Sequence, residues 1–420
     1  MSWVIGVEGV RGAFPDGCAV TMGVFDGVHR GHIALIKATT RWARAQGVPA
    51  VALTFDPHPA AVLAPRHRPP MLCPLAHRVE RLLQQGIDCV VVQPFTQAFA
   101  QLSPEAFIEE VLTRDLNAKA VVVGDDFRFG RGRTGSVETL RSAGGLEVIT
   151  VDGVVDESGE RISSTRIREL ILTGRLEQAN ALLGEPLYWA GVVTRGDGRG
   201  RGFGYPTANL APLEPLITPQ EGVYACVALV CPHPPAPRSH AVGTGGGTTL
   251  EAAAETHPSD FSDLTPLPPL SVNGEGGSAA LPTRGSPSPF TERGLGGEVE
   301  TARENEASVS EVEADSRTLV RGADSPLPRR GSGAGGEGYK IYPAAVSVGK
   351  PPMFENARGR VEAYLIDFPD HDLYGHVVAL QFLKRLRPQQ RFESLNALLE
   401  QMARDVEATR QIAQEVQSGR

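Results

Sequence analysis

The chain has 420 residues, 41% of them hydrophobic and 21% charged, with a formal net charge of -8; at roughly 150 residues per unit this is a globular protein of two or three domains, and two are expected. The acidic balance gives no electrostatic case for nucleic acid or an anionic membrane as partner, so a polyanionic substrate has to be held by local groups. Five far-spaced cysteines (Cys18, Cys73, Cys89, Cys226, Cys231) form no CxxC pair, and with no leader-like start and no apolar run of about 18 residues a cytoplasmic protein without disulfide framework, zinc site or membrane span is expected.

From residue 18 to about 150, short apolar runs alternate with helix-like segments: AVTMGV, IALIKATTRWARAQ, VPAVALTF, HRVERLLQQ, CVVVQPF, PEAFIEEVLTRDL and AKAVVVG. Alternation of this kind predicts a parallel α/β sheet, and continuous apolar strands such as AVVVG suit burial on both faces. In such folds ligands sit at the carboxyl ends of the strands. A helical stretch from 163 to 184 closes this first unit, residues 1–185. From 186 the pattern turns to strands and glycine-rich loops (LYWAGVVTRG, GVYACVALV, IYPAAVSVG, RVEAYLIDF, HVVALQFLKRLR), which predicts a small antiparallel barrel or sandwich over 186–420. Beyond Ser394, the residues Leu395, Leu398, Leu399, Met402, Val406 and Ile412 recur at helical spacing, so an amphipathic helix is expected to pack on that barrel.

Residues 232–338 break the pattern. These 107 residues hold 17 Gly and 13 Pro and no Trp, Tyr, Ile, Met, Cys or Lys, a composition that builds no core and reads as a disordered insertion. Two of its stretches, SPSPFTERGLGGEV (286–299) and SPLPRRGSGAGGEG (325–338), resemble each other as low-complexity elements do. The insertion separates two strands expected to be neighbours, so it is placed in a hairpin loop. Loop-closure entropy grows only logarithmically with length, and a barrel tolerates it there.

Two constellations carry the chemistry. In GVFDGVHRGH (23–32), Gly23 and Gly27 allow close backbone approach to a ligand, and a helix beginning near His29 aims free N–H groups at anionic oxygens. His29 and His32, three apart, share one face of its first turn and suit developing negative charge on phosphate; an ordinary helix cap with satisfied surface histidines fits the HxGH pattern as well. ISSTRIR (162–168) offers Ser164 and Thr165 as hydroxyl donors at a helix start, where Arg166 and Arg168 oppose the helix dipole unless an anion is near. VVVGDDFRFGRGRTG (121–135) ends a buried strand in a loop where Phe127 and Phe129 line a planar ligand and Arg131 or Arg133 meets phosphate, or which is simply a mobile surface loop. In the second constellation, GDGRGRGFGYPTAN (196–209) is a donor-rich flap ending in two oxygen ligands suited to magnesium, the Thr207 hydroxyl and the Asn209 amide. In RVEAYLIDF, period two sets Val361, Ala363 and Leu365 on one face and Glu362, Tyr364 and Ile366 on the other, and Glu362 by itself reads as a solvent-facing strand residue.

In this order and spacing GVFDGVHRGH, TFDPHP (54–59), VGDDFRFGRGRTG and ISSTRIR resemble the FMN adenylyltransferase module of bacterial bifunctional riboflavin kinase/FAD synthetases, a branch of the HxGH nucleotidylyltransferases. GDGRGRGFGYPTAN, RVEAYLIDF and the tail RLRPQQRFESLNALLEQMARDV are similar to that family's kinase module. The resemblance covers about 16–231 and 339–415. It implies a Rossmann-like α/β domain followed by a six-stranded split β-barrel with a C-terminal helix. By the same resemblance His29, His32, Ser164, Thr165 and Arg168 surround the ATP phosphates, with Gly23, Phe25 and Gly31 in the same nucleotide site. His58, Asp126 and Phe127 hold the flavin nucleotide. In the barrel, Glu362 is the general base, Thr207 and Asn209 bind magnesium and phosphate, Gly196, Gly200 and Arg201 contact ATP, and Arg391 lies on the flavin side. The chain departs from the family in the long insertion, in Arg391, more often Lys, in Asp126, Asn in some relatives, and in VSVGKPPMF (346–354), where relatives commonly read a PTF ending near Pro352 and Met353.

The implied activity is phosphorylation of riboflavin to FMN and adenylylation of FMN to FAD, with ATP and Mg2+, in a monomer or weak homo-oligomer. Two other readings compete. One is another HxGH enzyme, such as an aminoacyl-tRNA synthetase, although no KMSK-like loop occurs and the chain is acidic; the other is a non-catalytic flavin-binding or flavin-sensing protein.

Overall fold

The computed structural model describes residues 2–196, 204–230, 340–349, 360–369 and 372–418. The insertion 232–338, Gly200, Arg201, Pro352 and Met353 lie outside the described residues. Six parallel strands, β1 (Ser2–Ile5), β2 (Cys18–Met22), β3 (Ala50–Asp56), β4 (Cys89–Pro94), β5 (Ala118–Gly124) and β6 (Glu147–Val151), form one sheet in the order β1-β4-β3-β2-β5-β6. Their apolar runs serve both faces. Val20, Val51, Val91 and Val121 pack with Phe107, Leu112 and Leu140 on one side, while Ala19, Ala52 and Val90 pack on the other with Ile36 and Ala43 of the helix Arg30–Gln46 and Val79 and Leu82 of the helix Leu75–Gln84. Successive strand residues point to opposite faces, so only a strand buried on both sides can be apolar throughout.

Consecutive strands run outward from β2 through β3 to β4, and the chain then crosses back to place β5 on β2's other side. The crevice at the carboxyl ends of β2 and β5 is therefore the topological switch point, where open α/β sheets bind ligands. Both glycine-rich motifs of the first constellation start there. The segment 104–115, expected as an α-helix, is a short α-turn, Pro104–Ala106, running into the π-helical Phe107–Asp115.

Six antiparallel strands, β7 (Leu187–Thr194), β8 (Ala208–Pro212), β9 (Gly222–Val230), β10 (Lys340–Gly349), β11 (Arg360–Leu365) and β12 (Val377–Arg387), close a barrel in the order β10-β11-β8-β7-β12-β9. Val230 on β9 pairs directly with Lys340 on β10, so the two strands flanking the insertion are neighbours, as expected. Trp189, Tyr224, Phe382, Val346 and Ala363 fill the barrel and share one core with Ile167, Ile171 and Leu183 from the helices Ser164–Leu172 and Leu176–Leu183, and with Leu72.

The C-terminal helix, Leu395–Gln417, is capped by Ser394, whose hydroxyl accepts from the Ala397 amide at 3.2 Å. Its most buried positions are not the expected leucines but Asp405, Thr409 and Ala413, four apart on one stripe, while Leu395 is exposed. Asp405 takes the guanidinium of Arg387 at 2.8 Å and Thr409 back-bonds to the Asp405 carbonyl. The stripe is polar because the strand it covers presents an arginine.

Candidate active sites

The first site grows from the end of β2. The Gly23 amide is spent on the sheet, donating to the Leu53 carbonyl at 3.1 Å. Phe25 and Val28 then adopt left-handed backbone (φ +52° and +38°) around Gly27 (φ +79°); for a β-branched valine this is a strained conformation that only surrounding structure can hold. Gly27 does not open a path to a ligand as the sequence led us to expect: a Cβ there would press on Leu72 and Leu183, so the glycine lets the loop pack against protein. The Phe25 side chain is likewise buried, its edge against the His32 ring at 5.3 Å.

His29 caps the helix Arg30–Gln46, its Nδ1 accepting from the His32 amide at 3.4 Å. The two imidazoles stack with centroids 3.7 Å apart, and a side chain at Gly31 would crowd His29 at 3.1 Å. They are therefore not surface histidines. Burial pushes His29 down to about 4, with the Arg168 charge adding to the effect, and burial followed by the His29 and Arg78 charges holds His32 well below the usual range. Both rings are neutral near pH 7. With Nδ1 accepting, His29 carries its proton on Nε2 and can donate it toward a ligand. His32 Nδ1 is buried with no hydrogen-bond partner among the described residues.

Asp26, which the sequence reading left without a role, is the hub of this loop. Its carboxylate accepts from the Leu72 amide at 2.8 Å and pairs with the Arg168 guanidinium, and its carbonyl accepts the Ser164 hydroxyl at 3.0 Å. Burial pushes the Asp26 carboxyl up, and Arg168 pulls it back. The signal was present: an acidic residue within an anion-binding glycine loop calls for an arginine partner, and only the fold says which. The two arginines that oppose the helix dipole thus meet carboxylates of this chain. Arg168 meets Asp26, and Arg166 meets Asp156 at 2.5 Å and Glu160 at 2.7 Å. Ser163 rather than Ser164 caps that helix, accepting from the Arg166 amide, and Thr165 is exposed beside it.

Around the crevice, His58 caps the helix Pro59–Leu63 through the Ala60 amide at 3.0 Å. Burial, reinforced by the charges of Arg168, Arg78 and Arg68, pushes it down to about 4. Asp126 is exposed and bonded to Arg161 at 2.9 Å. Phe127 is half-buried, its ring stacked at 5.8 Å on Phe129. Phe129 is a core residue in contact with Phe107, which corrects its assignment as a ligand-lining ring. Arg131 and Arg133 lie exposed on a 3-10 turn.

The second site lies on the outside of the barrel. Thr194, Asn209, Glu362 and Ser347 stand directly opposite one another on β7, β8, β11 and β10. Their chain neighbours Val193, Leu210, Val361, Ala363, Val346 and Val348 point inward, so the four form one polar row on the outer face. The strand β8 itself was unexpected, because PTAN read as the end of a flap. Thr207 is half-buried just before it. Gly196 lies so close to Asn209 that a Cβ would overlap the amide. Tyr205 meets Tyr364 edge-on at 5.2 Å. Gln389 donates to the Ser347 hydroxyl at 2.8 Å, extending the row by one residue; neither Ser347 nor Gln389 was singled out in the sequence. Arg391, two residues on, is exposed.

Comparison with known proteins separates the two sites along the chain. A family model described as FAD synthetase matches residues 12–166, and one described as riboflavin kinase matches 183–266 and 309–413. The chain is 38% identical over 247 residues to the bifunctional riboflavin kinase/FMN adenylyltransferase of Escherichia coli strain K12, an alignment covering 58% of this chain and 78% of that protein. It is 40% identical over 208 residues to the Listeria monocytogenes protein of the same description, covering 49% and 66%. A solved structure described as a macrolide-efflux protein from Streptococcus pneumoniae superposes with a TM-score of 0.63 at 26% identity, over 97% of this chain and 98% of that one. Among the described residues, no helix is long and apolar enough to cross a membrane.

Proposed function

The chain belongs to the bifunctional riboflavin kinase/FMN adenylyltransferase family, and from that premise we propose how its two sites divide the work. The protein phosphorylates riboflavin to FMN and adenylylates FMN to FAD, with ATP as co-substrate of both steps. Residues 1–185 carry the second reaction and residues 186–420 the first, with 232–338 as an insertion in the kinase half. The observation that carries this reading is the presence in one chain of two separate phosphate-suited sites, the stacked histidines at the switch point and the Asn209–Glu362 pair on the barrel.

In adenylyl transfer an FMN phosphate oxygen attacks the α-phosphorus of ATP, and the bond to the pyrophosphate oxygen breaks. The attacking phosphate is already ionised, so no side chain need act as nucleophile, and catalysis is positioning plus electrostatics. Neutral His29 and His32 serve as hydrogen-bond donors to the phosphates rather than as fixed positive charges. Positive potential comes from the helix N-terminus and from Arg168, held beside the loop by Asp26. Gly23, Phe25, Gly31, Ser164 and Thr165 shape the nucleotide site, and His58, Asp126 and Phe127 border the flavin nucleotide.

In the kinase step Glu362 accepts the proton of the ribityl 5′-hydroxyl as that oxygen attacks the γ-phosphorus and ADP leaves. Thr207 and Asn209 present neutral oxygens, and the chemistry of that donor set fits a magnesium ion that takes its remaining ligands from phosphate and water. The ion would supply charge stabilisation at the transferred phosphoryl group. Gly196, Gly200 and Arg201 belong to the ATP flap, and Arg391 to the flavin side. The acidic chain fits work in the cytoplasm as a monomer or weak homo-oligomer without nucleic acid. A different HxGH activity would leave the row around Glu362 unexplained. Supplied separately with riboflavin and FMN, His32→Ala is expected to lower FAD formation at least about a hundredfold and spare FMN formation. Glu362→Ala should do the reverse; loss of both activities in either variant would contradict two independent sites.

A further inference from the structure

The adenylyl-transfer site is braced from the kinase half of the chain. The helix Leu75–Gln84 begins at Pro74, which offers no side-chain cap, and the Leu75 amide donates instead to Glu214 Oε1 at 3.1 Å, 139 positions away on the segment that follows β8. That segment is fixed by backbone just beyond Glu214: the Met71 amide donates to the Pro215 carbonyl and the Ile217 amide to the Met71 carbonyl, each at 2.8 Å.

One turn into the helix is Arg78, almost fully buried. Its guanidinium donates to the Val24 carbonyl at 2.7 Å and the Phe55 carbonyl at 3.3 Å, and lies 3.6 Å from Asp56. Val24 opens the loop that carries His29 and His32, and Phe55 opens the turn that carries His58. One guanidinium nitrogen therefore ties together the two loops of the adenylyl site while the other faces Asp56, and lysine has no second nitrogen for that contact. Its Nε has no hydrogen-bond partner among the described residues. The charges that Glu214 faces most strongly are those of Arg78, Asp56 and Arg68; burial pushes its carboxyl up to about 7, with the Leu75 amide and Arg78 opposing the rise.

We propose that Glu214, supplied by the kinase half, is a positioning residue for adenylyl transfer: it caps the helix that carries Arg78, so that the histidine loop and the His58 turn are held in register. This rests on the functional reading above, since it names what braces that site. Glu214 lies five residues beyond Asn209 on the same strand and its exit, so the barrel that phosphorylates the flavin also steadies the site that adenylylates it.

The test is steady-state kinetics of the full chain with FMN and ATP, and separately with riboflavin and ATP. Glu214→Ala is expected to lower kcat for FAD formation about tenfold with little change in KM for ATP, and to leave riboflavin phosphorylation within about twofold. Glu214→Gln keeps the cap acceptor and size, and is expected to fold and to lose about threefold, which holds the proposal to account if the alanine variant does not fold. If Glu214 acts through Arg78, Glu214→Ala combined with Arg78→Lys is no worse than the poorer single variant. Unchanged FAD formation in both Glu214 variants, equal losses in the two activities, or additive effects with Arg78→Lys would overturn it. Failure of the unsubstituted chain to adenylylate FMN would instead overturn the functional reading on which it stands.

Discussion

His29 sits where an imidazole gains a proton with difficulty. Its ordinary value of 6.5 falls to about 4 in the folded chain because burial removes the water that would solvate the charge. Between these two values the unfolded chain binds a proton that the folded chain refuses, so stability falls as pH drops from 6.5 toward 4 and levels below that. One such group changes the slope by up to about 1.4 kcal/mol per pH unit. His29→Asn keeps a capping acceptor for the His32 amide and removes the titrating ring; urea denaturation across this window is expected to give a shallower dependence for the variant, and an unchanged slope would refute neutral burial. The motif GVFDGVHRGH announced the histidines and the helix they cap, but not their charge state. Phe25 of the same motif folds back on His32, and the charge of Arg168 comes from a distant segment; the motif alone shows neither the packing nor the charge. Asp26 escaped for the same reason, since its partners Leu72, Ser164 and Arg168 come from distant segments.

Among the elements, the strongly patterned ones were legible. The central strands β2 to β5 are continuous apolar runs and the helix Arg30–Gln46 is long, so period and length agreed with the fold. The strands β1, β6 and β8 were not expected: SWVI and EVITV sit at the sheet's two edges and are short, and ANLAP starts inside a motif dominated by loop residues. The C-terminal helix was placed correctly and faced incorrectly, because its apolar count favoured leucines while the partner strand β12 offers Arg387. Asp405→Ala leaves that largely buried guanidinium without its carboxylate, and about 2 to 4 kcal/mol of stability is expected to go with it. Denaturant unfolding of Asp405→Ala beside Asp405→Asn measures this, and a loss below about 0.5 kcal/mol in both would show the pair to be dispensable.

At the scale of the whole molecule, the closed barrel shares one core with the helices Ser164–Leu172 and Leu176–Leu183, while the α/β sheet packs its own core on each face, and Glu214 reaches from the barrel half to the helix Leu75–Gln84. The direct pairing of Val230 with Lys340 explains how the 107-residue insertion 232–338 is accommodated: the chain leaves and re-enters at adjacent strand ends, where closing a long loop costs little more than closing a short one. The two-part organisation was legible because the hydrophobic period changes from alternating strand and helix to strand after strand. Sequence patterning did not disclose the Glu362 row. Period two alone left Glu362 an ordinary outward-facing glutamate; the family resemblance singled it out, and the register adds the row by setting Asn209 and Ser347 on either side of it. The measurement that bears most directly on this account is chromatography of the flavins formed when the full chain is incubated with riboflavin, ATP and Mg2+. FMN should appear first and FAD follow at its expense, whereas riboflavin that remains unchanged would contradict the kinase assignment and FMN that accumulates without FAD the adenylyl-transfer assignment.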